Sequence, residues 1–284
     1  MQEINGNTKI LGIIGKPVKH TLSPRIHNFL AQALEHDLVY LPFEVDEDIR
    51  AAIKGAYALG IVGMNVTVPY KSAVIAELTE VEGLASKIGA VNTLVRTTEG
   101  YKGYNTDILG LKRELTEEGI FLKNERVIIV GAGGAARATA FLCAEEGAEH
   151  IYILNRSLNK AHELAEDINC SLSKPEDYVQ ALELSEYEKL SGDGYIAFQC
   201  TSVGLSPNVD EVVIEDKAFY QKLKVAVDLI YTPQTTKFMK LAAHEGCQAL
   251  NGMRMLIYQA VASYELWTGA QIEKNLIDQV TTLL

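Results

Sequence analysis

One lysine at the end of an apolar strand is the first residue of this sequence that could do acid–base chemistry. Residues 65–71 read Asn-Val-Thr-Val-Pro-Tyr-Lys, which predicts a strand that runs into a proline turn. Side chains alternate along a strand, so Asn65 and Thr67 are expected on the face opposite the two valines. The proline has no N–H to donate and ends the strand, which fixes Lys71 at its exit. Taken alone, the stretch is typical of a strand end with an exposed lysine.

Three further polar residues stand among apolar or helical segments. Asn92 interrupts the strand predicted over 89–95, and Gln259 lies beside the apolar stripe of a helix that begins near Met253. Gln259 would either cap a backbone group or reach into a cleft. Asp107 opens a helix that is expected to reach Glu118, and the residues themselves favour a helix N-cap for it.

A glycine-rich turn between a strand and a helix predicts a phosphate site. Residues 126–130 form an apolar strand, and Gly131-Ala132-Gly133-Gly134-Ala135-Ala136 opens a helix that runs through Cys143. The first glycine permits a tight turn, Gly133 lets a pyrophosphate approach the backbone, and Ala136 is small enough to pack helix on strand. The free N–H groups of the helix N-terminus then attract phosphate.

The end of the next strand indicates which dinucleotide binds. The strand predicted over His150–Leu154 ends in Asn155-Arg156-Ser157, where NAD-binding domains usually place an acid against the ribose. Here Arg156 and Lys160 supply positive charge instead, and a guanidinium can clamp a 2′-phosphate, which favours NADP. The alternative is that both residues form the solvated start of the following helix.

The elements that position these residues alternate between strand and helix, which predicts the α/β class. The first domain is expected to span about 105 residues. Its strands are expected over 9–14 and 38–45. A first helix is expected to run to about Leu34, with Ser23 as its N-cap and Pro24 as its first residue. A second helix with an acidic first turn should reach Leu59, and a third should cover 80–88.

The second half repeats the alternation and ends in helices. Strands are predicted over 195–200 and 225–230, and both should present their loops at the same edge as the glycine turn. A helix over 235–244 and a strand over 248–250 follow, whereas 171–192 is polar and has no assignment. The last helix is expected over 272–284.

Composition excludes several classes of function. The chain has 284 residues, of which 48% are hydrophobic and 22% are charged, values that fit a soluble globular protein of two domains. The net charge of −11 argues against nucleic-acid or membrane binding. No signal peptide or spanning segment is visible, and the scattered Cys143, Cys170, Cys200 and Cys247 suggest reduced thiols of a cytoplasmic protein.

Taken together, the motifs resemble the shikimate dehydrogenase family over nearly the whole chain. They appear in order, at the separations that the family shows. The matching segments are Thr21–Pro24 with His27-Asn28, Asn65–Lys71, Ala90–Thr93, Asn105–Asp107, Gly131–Ala135, Asn155–Ser157, Asp228–Pro233, and Gly252-Met253 with Gln259.

The resemblance implies a discontinuous substrate-binding domain, residues 1–106 with 251–284, and a Rossmann-like NADP domain over 107–250, with a cleft between them. It also implies reversible reduction of 3-dehydroshikimate to shikimate with NADPH, in the pathway to aromatic amino acids. No metal is implied, and a monomer or homodimer is expected.

Site roles also follow from the resemblance. Lys71 and Asp107 become the catalytic pair, in which the ammonium stabilises charge on a carbonyl oxygen and delivers a proton, while the carboxylate orients it. The implied substrate-binding residues are Thr21, Ser23, Asn65, Thr67, Asn92, Asp107, Tyr231 and Gln259. The implied cofactor-binding residues are Gly131, Ala132, Gly133, Gly134, Ala135, Asn155, Arg156, Ser157, Lys160, Thr201, Leu229, Gly252 and Met253.

Two positions depart from the family pattern and leave alternatives open. Thr21 stands where the family has serine, so a methyl group enters the substrate pocket, and quinate or another cyclic hydroxy acid becomes an alternative substrate. Gln199-Cys200 stands where the family more often has Asn-Ala, near the expected nicotinamide side. A second alternative is a sensor that binds the same ligands without turnover, which the intact Lys71 and Asp107 argue against.

Overall fold

The computed structural model describes residues 4–284, which divide into two compact units. Unit 1 comprises the chain up to Leu111 together with Leu256–Leu284, and unit 2 comprises Lys112–Met255. The predicted domain limits, after residues 106 and 250, fall a few residues earlier, so Asp107 belongs to the same unit as Lys71. The domain limits themselves stay a prediction.

Strands and helices alternate along most of the described chain, as predicted. The first part contains β1 (Lys9–Gly15), α1 (Ser23–Ala33), β2 (Leu38–Glu44), α2 (Ile49–Ala58), β3 (Gly63–Val66), β4 (Glu80–Val81), α3 (Gly83–Ile88), β5 (Thr93–Arg96), β6 (Tyr101–Tyr104) and α4 (Thr106–Glu117). The second part contains β7 (Arg126–Val130), α5 (Gly134–Glu145), β8 (His150–Leu154), α6 (Leu158–Ser171), β9 (Val179–Leu182), β10 (Tyr195–Gln199), α7 (Lys217–Tyr220), β11 (Leu223–Asp228), α8 (Lys237–His244), β12 (Gln248–Asn251), α9 (Met253–Thr268) and α10 (Lys274–Leu283).

Unit 1 is built on a mixed six-stranded sheet in the order β2-β1-β3-β5-β6-β4. The pairs of β1 with β2 and β3 are parallel, whereas β5 runs antiparallel to both β3 and β6. Apolar side chains pack on the sheet and form one core. Its fully buried members include Val74, Ala85, Val91 and Leu94.

Unit 2 is built on a wholly parallel sheet in the order β12-β11-β10-β7-β8-β9. The central strands β7 and β10 are mostly apolar and buried, as expected where both faces of a parallel sheet are covered by helices. This is the strand order of the doubly wound dinucleotide-binding fold. Successive strands are added first on one side of β7 and then, from β10 onward, on its other side. Val130 lies opposite Gln199, and Gln199 lies opposite Asp228. This register confirms the prediction that the strand ends share one edge with the glycine turn.

Several local predictions for unit 1 were wrong. Strand β3 ends at Val66, so Val68 lies beyond it and is 65% exposed, although Val66 is buried. Residues 80–88 hold the short strand β4 before α3, not one helix. Ser23 is the first residue of α1 and its side chain makes no capping bond.

The cap of α4 also differs from the expectation. The helix begins at Thr106, which places Asp107 in its first turn. The Asn105 side chain instead accepts from the Ile108 N–H at 3.4 Å, so Asn105 has the position that was predicted for Asp107. In unit 2, the unassigned stretch 171–192 contains β9 and a short 3₁₀ helix over Leu184–Lys189. Over residues 4–284, no helix is both long and apolar enough to span a membrane.

Candidate active site

The backbone around Lys71 is held from two sides. The Tyr70 N–H closes the turn after β3 by donating to the Thr67 carbonyl at 3.0 Å, and the Tyr70 hydroxyl donates to the Val45 carbonyl at 2.8 Å. The Lys71 carbonyl accepts from the Val91 N–H at 2.8 Å. Tyr70 is only 8% exposed, so a buried anchor precedes the lysine and fixes where its side chain begins.

Lys71 and Asp107 form a direct ion pair within unit 1. The Lys71 Nζ lies 2.6 Å from Asp107 Oδ2, and the side chains are 32% and 20% exposed. The second oxygen, Asp107 Oδ1, accepts from Asn92 Nδ2 at 2.9 Å. The structure thus brings these three predicted residues together, with an ammonium group that is held by a carboxylate and still reaches solvent.

The orientation of Asn92 is set by its own partners. Its Oδ1 accepts from the Thr106 N–H at 2.7 Å and from the Thr93 hydroxyl at 3.1 Å. An amide oxygen is the group that can accept from a backbone N–H, so the amide nitrogen must face Asp107. Asn92, which is 3% exposed, therefore joins the start of β5 to the first turn of α4, where it also holds the Asp107 carboxylate.

Asn65 lies in a buried hydrogen-bond network beneath this pair. Its Oδ1 accepts from the Tyr40 hydroxyl at 2.7 Å, and its Nδ2 lies 3.1 Å from Thr93 Oγ1 and 3.0 Å from Ser263 Oγ. Asn65 is 5% exposed, so direct contact with a substrate would require one of these bonds to be exchanged.

Several members of this network were not predicted from the sequence. Ser263 interrupts the apolar face of α9, which was the available signal for it, and it also lies 3.0 Å from the Thr106 hydroxyl. Tyr40 stacks on the ring of His27 at a centroid distance of 4.3 Å. Burial lowers the pKa of His27 to about 3, so this ring is neutral near pH 7.

Thr21 and Ser23 present two adjacent hydroxyls at the start of α1. Thr21 Oγ1 donates to Ser23 Oγ at 3.2 Å and accepts from the Ser23 N–H at 3.3 Å. Hydroxyls at a helix N-terminus suit an anion, because the N–H groups there carry partial positive charge. Ser23 is 6% exposed, whereas Thr21 is half-buried.

Three further residues were predicted to bind substrate, namely Gln259, Thr67 and Tyr231. Gln259 Nε2 donates to the Leu256 carbonyl at 2.9 Å, which is the backbone-capping alternative considered for it. The Thr67 N–H donates to the Ile14 carbonyl at 2.9 Å and its side chain is half-buried. Tyr231 follows β11 in unit 2 and is also half-buried.

The glycine turn that was predicted to bind phosphate lies between β7 and α5 of unit 2. Gly131 has φ of +117°, a backbone conformation that L side chains rarely adopt. Gly133, Gly134 and Ala135 are exposed at the start of α5. Outside the neighbouring backbone, no atom lies within 4 Å of where a Cβ would stand on Gly133 or Gly134, so this side of the turn has room for a ligand.

The basic residues that were predicted to read the cofactor follow the neighbouring strand β8. Asn155 Nδ2 donates to the Ser157 carbonyl at 2.9 Å, which folds the strand end into a turn. Arg156, Ser157 and Lys160 are exposed at the start of α6. This is the position at which the doubly wound fold meets the ribose of the adenosine half.

The other predicted cofactor residues lie at the ends of β10, β11 and β12. The Gly252 N–H donates to the Ile230 carbonyl at 3.0 Å, and a Cβ on Gly252 would lie 2.2 Å from the Leu229 carbonyl oxygen. Only glycine permits this approach between the two chain segments. Thr201 and Met253 are half-buried beside them. Cys143, Cys170, Cys200 and Cys247 are free thiols, as predicted.

A doubly wound nucleotide unit with an open glycine turn, joined to a unit that carries a lysine–carboxylate pair, defines an NADP-dependent oxidoreductase. Family models support this class and divide the chain similarly. "Shikimate dehydrogenase substrate binding domain" matches residues 13–94, "Shikimate / quinate 5-dehydrogenase" matches 114–229, and "Shikimate 5'-dehydrogenase C-terminal domain" matches 252–280. The chain belongs to the shikimate dehydrogenase family.

Individual relatives agree over nearly the full length. Shikimate dehydrogenase (NADP(+)) of Caldanaerobacter subterraneus subsp. tengcongensis is 41% identical over 276 residues, which cover 97% of each chain. A crystal structure of shikimate dehydrogenase in complex with NADP+ is 36% identical, with a TM-score of 0.89 and coverage of 99% and 96%. Shikimate 5-dehydrogenase of Listeria monocytogenes, in complex with shikimate and NAD, is 31% identical, with a TM-score of 0.90 and coverage of 100% and 98%.

Proposed function

We propose that this protein reversibly reduces 3-dehydroshikimate to shikimate with NADPH, a step of chorismate and aromatic amino acid biosynthesis. The observation that carries the proposal is the ion pair of Lys71 Nζ with Asp107 Oδ2 at 2.6 Å, held by Asn92. The names of the curated and crystallised relatives support the substrate and the cofactor.

The pair suits reduction of a ketone. When bound, NADPH would supply a hydride to the carbonyl carbon and would itself be oxidised to NADP+. The carbonyl oxygen gains negative charge as the hydride arrives, and the Lys71 ammonium stabilises that charge and gives the oxygen a proton, which completes the alcohol. Asp107 holds the ammonium in place through the ion pair. In the reverse direction, the neutral amine takes the hydroxyl proton.

The substrate groups are assigned to residues of suitable chemistry. The two hydroxyls of Thr21 and Ser23, at the N-terminus of α1, would hold the carboxylate. The ring hydroxyls would be bound by the polar residues around the ion pair. These are Asn65, Thr67, Asn92, Asp107, Tyr231 and Gln259.

The cofactor is assigned to unit 2. Arg156 and Lys160 would contact the 2′-phosphate, and Asn155 and Ser157 would shape that turn. The pyrophosphate would be bound by the turn from Gly131 through Ala132, Gly133 and Gly134 to Ala135. Thr201, Leu229, Gly252 and Met253 would complete the site. A cytoplasmic location and a monomer or homodimer are further proposals.

Replacement of Lys71 tests the catalytic assignment. Lys71→Ala should lower kcat about 10²- to 10⁴-fold, because general acid help and charge stabilisation are lost together. The affinity for NADPH, measured by fluorescence titration, should change little. Lys54→Ala, which removes an exposed lysine of the same unit, is the control. Near-parental turnover in Lys71→Ala would show that another group supplies the proton.

Replacement of Arg156 tests the cofactor assignment. Arg156→Ala should lower kcat/KM for NADPH about tenfold to a hundredfold, since a hydrogen bond to a charged group contributes about 1.5–3 kcal/mol. The value for NADH should stay nearly constant and serves as the internal control. Equal losses with both cofactors would mean that Arg156 does not recognise the 2′-phosphate.

Quinate oxidation is the second candidate function, and the observation that favours it is the methyl group of Thr21 beside Ser23. A panel of shikimate, quinate and related cyclic hydroxy acids, each with NADP and NAD, separates the two candidates by kcat/KM. A higher value for quinate would reverse the assignment. Binding of shikimate without turnover of any member would instead indicate a sensor.

A further inference from the structure

Gln199 is a buried side chain to which the proposed function gives no role. It is the last residue of β10 and is 1% exposed. Its Oε1 accepts from the Thr201 N–H at 2.5 Å, and its Nε2 lies 3.2 Å from the Val203 carbonyl oxygen. This one side-chain amide therefore pairs with a backbone N–H and a backbone carbonyl of the loop 201–203. Buried backbone groups of this kind need such partners.

The same amide reaches the neighbouring strand. Gln199 Nε2 lies 3.3 Å from Oδ1 of Asp228, the last residue of β11. Asp228 Oδ1 also accepts from the Ile230 N–H at 3.0 Å, and Oδ2 accepts from the Thr236 hydroxyl at 2.6 Å. The two side chains thus join the ends of β10 and β11 and hold the loop that follows each strand.

The sheet order gives these loops a place relative to a dinucleotide. The fold binds one mononucleotide on each side of the first strand, here β7. Arg156 follows β8 on one side, so the adenosine half belongs there and the nicotinamide half belongs with β10 and β11. The loop after β10 also abuts the glycine turn, because a Cβ on Gly131 would lie 3.0 Å from Thr201 Cγ2.

We propose that Gln199 and Asp228 form a clamp that positions loops 201–203 and 229–231 to receive the nicotinamide half of NADP. The inference rests on the proposed function and adds two positioning residues to it. Neither side chain is exposed, so neither is expected to touch the cofactor. Burial raises the pKa of Asp228 to about 6, which leaves it mainly a carboxylate near pH 7 that can accept all three bonds.

Binding of a whole and a half cofactor tests the clamp. In Gln199→Leu, the Kd of NADP+ should rise about threefold to tenfold, because the loop loses the hydrogen bonds that hold it. The Kd of adenosine 2′,5′-bisphosphate, which lacks the nicotinamide half, should stay within about twofold. Gln221→Leu removes an exposed glutamine of unit 2 and should change neither value.

A second variant gives a readout that a merely structural role would not move. Gln199→Glu places a carboxylate beside Asp228, so NADP+ binding should weaken as the pH rises from 6 to 8, more steeply than in the parent. Tyr220 and Cys200 also face this site, but burial raises the pKa of both, to about 12 for Cys200, so they stay neutral in this range.

The outcomes separate the clamp from the proposed function. Equal loss of both ligands in Gln199→Leu, no loss of either, or a parental pH profile in Gln199→Glu would overturn the clamp. If Gln199→Leu does not fold, the pH profile of Gln199→Glu decides. A parent protein that binds the bisphosphate but does not oxidise shikimate or quinate would overturn the proposed function instead.

Discussion

Replacing Glu114 by glutamine should change how the stability of unit 2 depends on pH. Glu114 lies in α4 and is 1% exposed. Burial raises its pKa from 4.5 to about 8, although the positive charge of Arg254 and a hydrogen bond from the Met255 backbone oppose this shift. Arg254 is itself paired with Glu118, so its charge is shared. Glu114 is therefore a neutral acid in the folded protein at pH 7.

The sign of the effect follows from where the proton is held. Between pH 4.5 and about 8 the folded protein keeps a proton on Glu114 that the unfolded chain releases. The free energy of unfolding then falls as pH rises, by about 1.4 kcal/mol per pH unit for this one group. Glutamine has a similar shape and does not titrate. The stability of Glu114→Gln relative to the parent should therefore rise by about 3 kcal/mol between pH 5.5 and 7.5.

Urea unfolding at pH 5.5, 6.5 and 7.5 gives the measurement, with hydrogen exchange of β7 amides reporting unit 2 separately. Glu163→Gln removes an exposed glutamate of α6 and should run parallel to the parent at all three pH values. If Glu114→Gln also runs parallel to the parent, Glu114 is ionised in the folded protein. Burial would then not be enough to keep this carboxyl group neutral.

Two further substitutions test close contacts at the sites. Gly252→Ala should lower the stability of unit 2 by about 1–3 kcal/mol or more, seen as a lower Tm, because the new Cβ would lie 2.2 Å from the Leu229 carbonyl oxygen. An unchanged Tm would show that the two segments can separate without cost. Thr21→Ser keeps both hydrogen bonds to Ser23 and removes one methyl, so the ratio of kcat/KM for shikimate to that for quinate should rise by about tenfold or less. A fall in that ratio would show that the methyl disfavours quinate, and the observation that favours quinate oxidation would be lost.

The parallel sheet of unit 2 was predictable because its signals are local. Residues 126–130 and 195–199 are apolar runs that end at turns, and the parallel arrangement then fixes which ends meet. The short edge strands were not predictable for the same reason. β4 has two residues and β9 lies in a polar stretch, so neither shows an alternating or continuous apolar pattern.

The site was only partly predictable. The Lys71–Asp107 pair came from the family resemblance, since the residues alone favoured an exposed lysine and a helix cap. The partners of Asn65 could not be anticipated, because Ser263 is 198 positions away and a serine in an apolar helix carries no sign of what it contacts. Contacts of this kind depend on tertiary packing, which spacing along the chain does not encode.

The interrupted path of the chain through unit 1 determines when each unit can fold during synthesis. Unit 2 is one continuous segment, Lys112–Met255, so all its strands are available once that segment has left the ribosome. Unit 1 has to wait for the end of the chain. Trp267 Nε1 donates to the Leu94 carbonyl at 2.8 Å, and Arg25 donates to the Leu283 carbonyl at 2.8 Å.

The lysine–carboxylate pair therefore sits in the unit that is completed last. Ser263, which supports Asn65 beneath that pair, is also supplied by the C-terminal segment. A nascent chain can thus hold a finished nucleotide fold while its substrate unit is still open. Premature termination after Met255 would release a nucleotide-binding fragment that lacks the helix completing the network around Asn65.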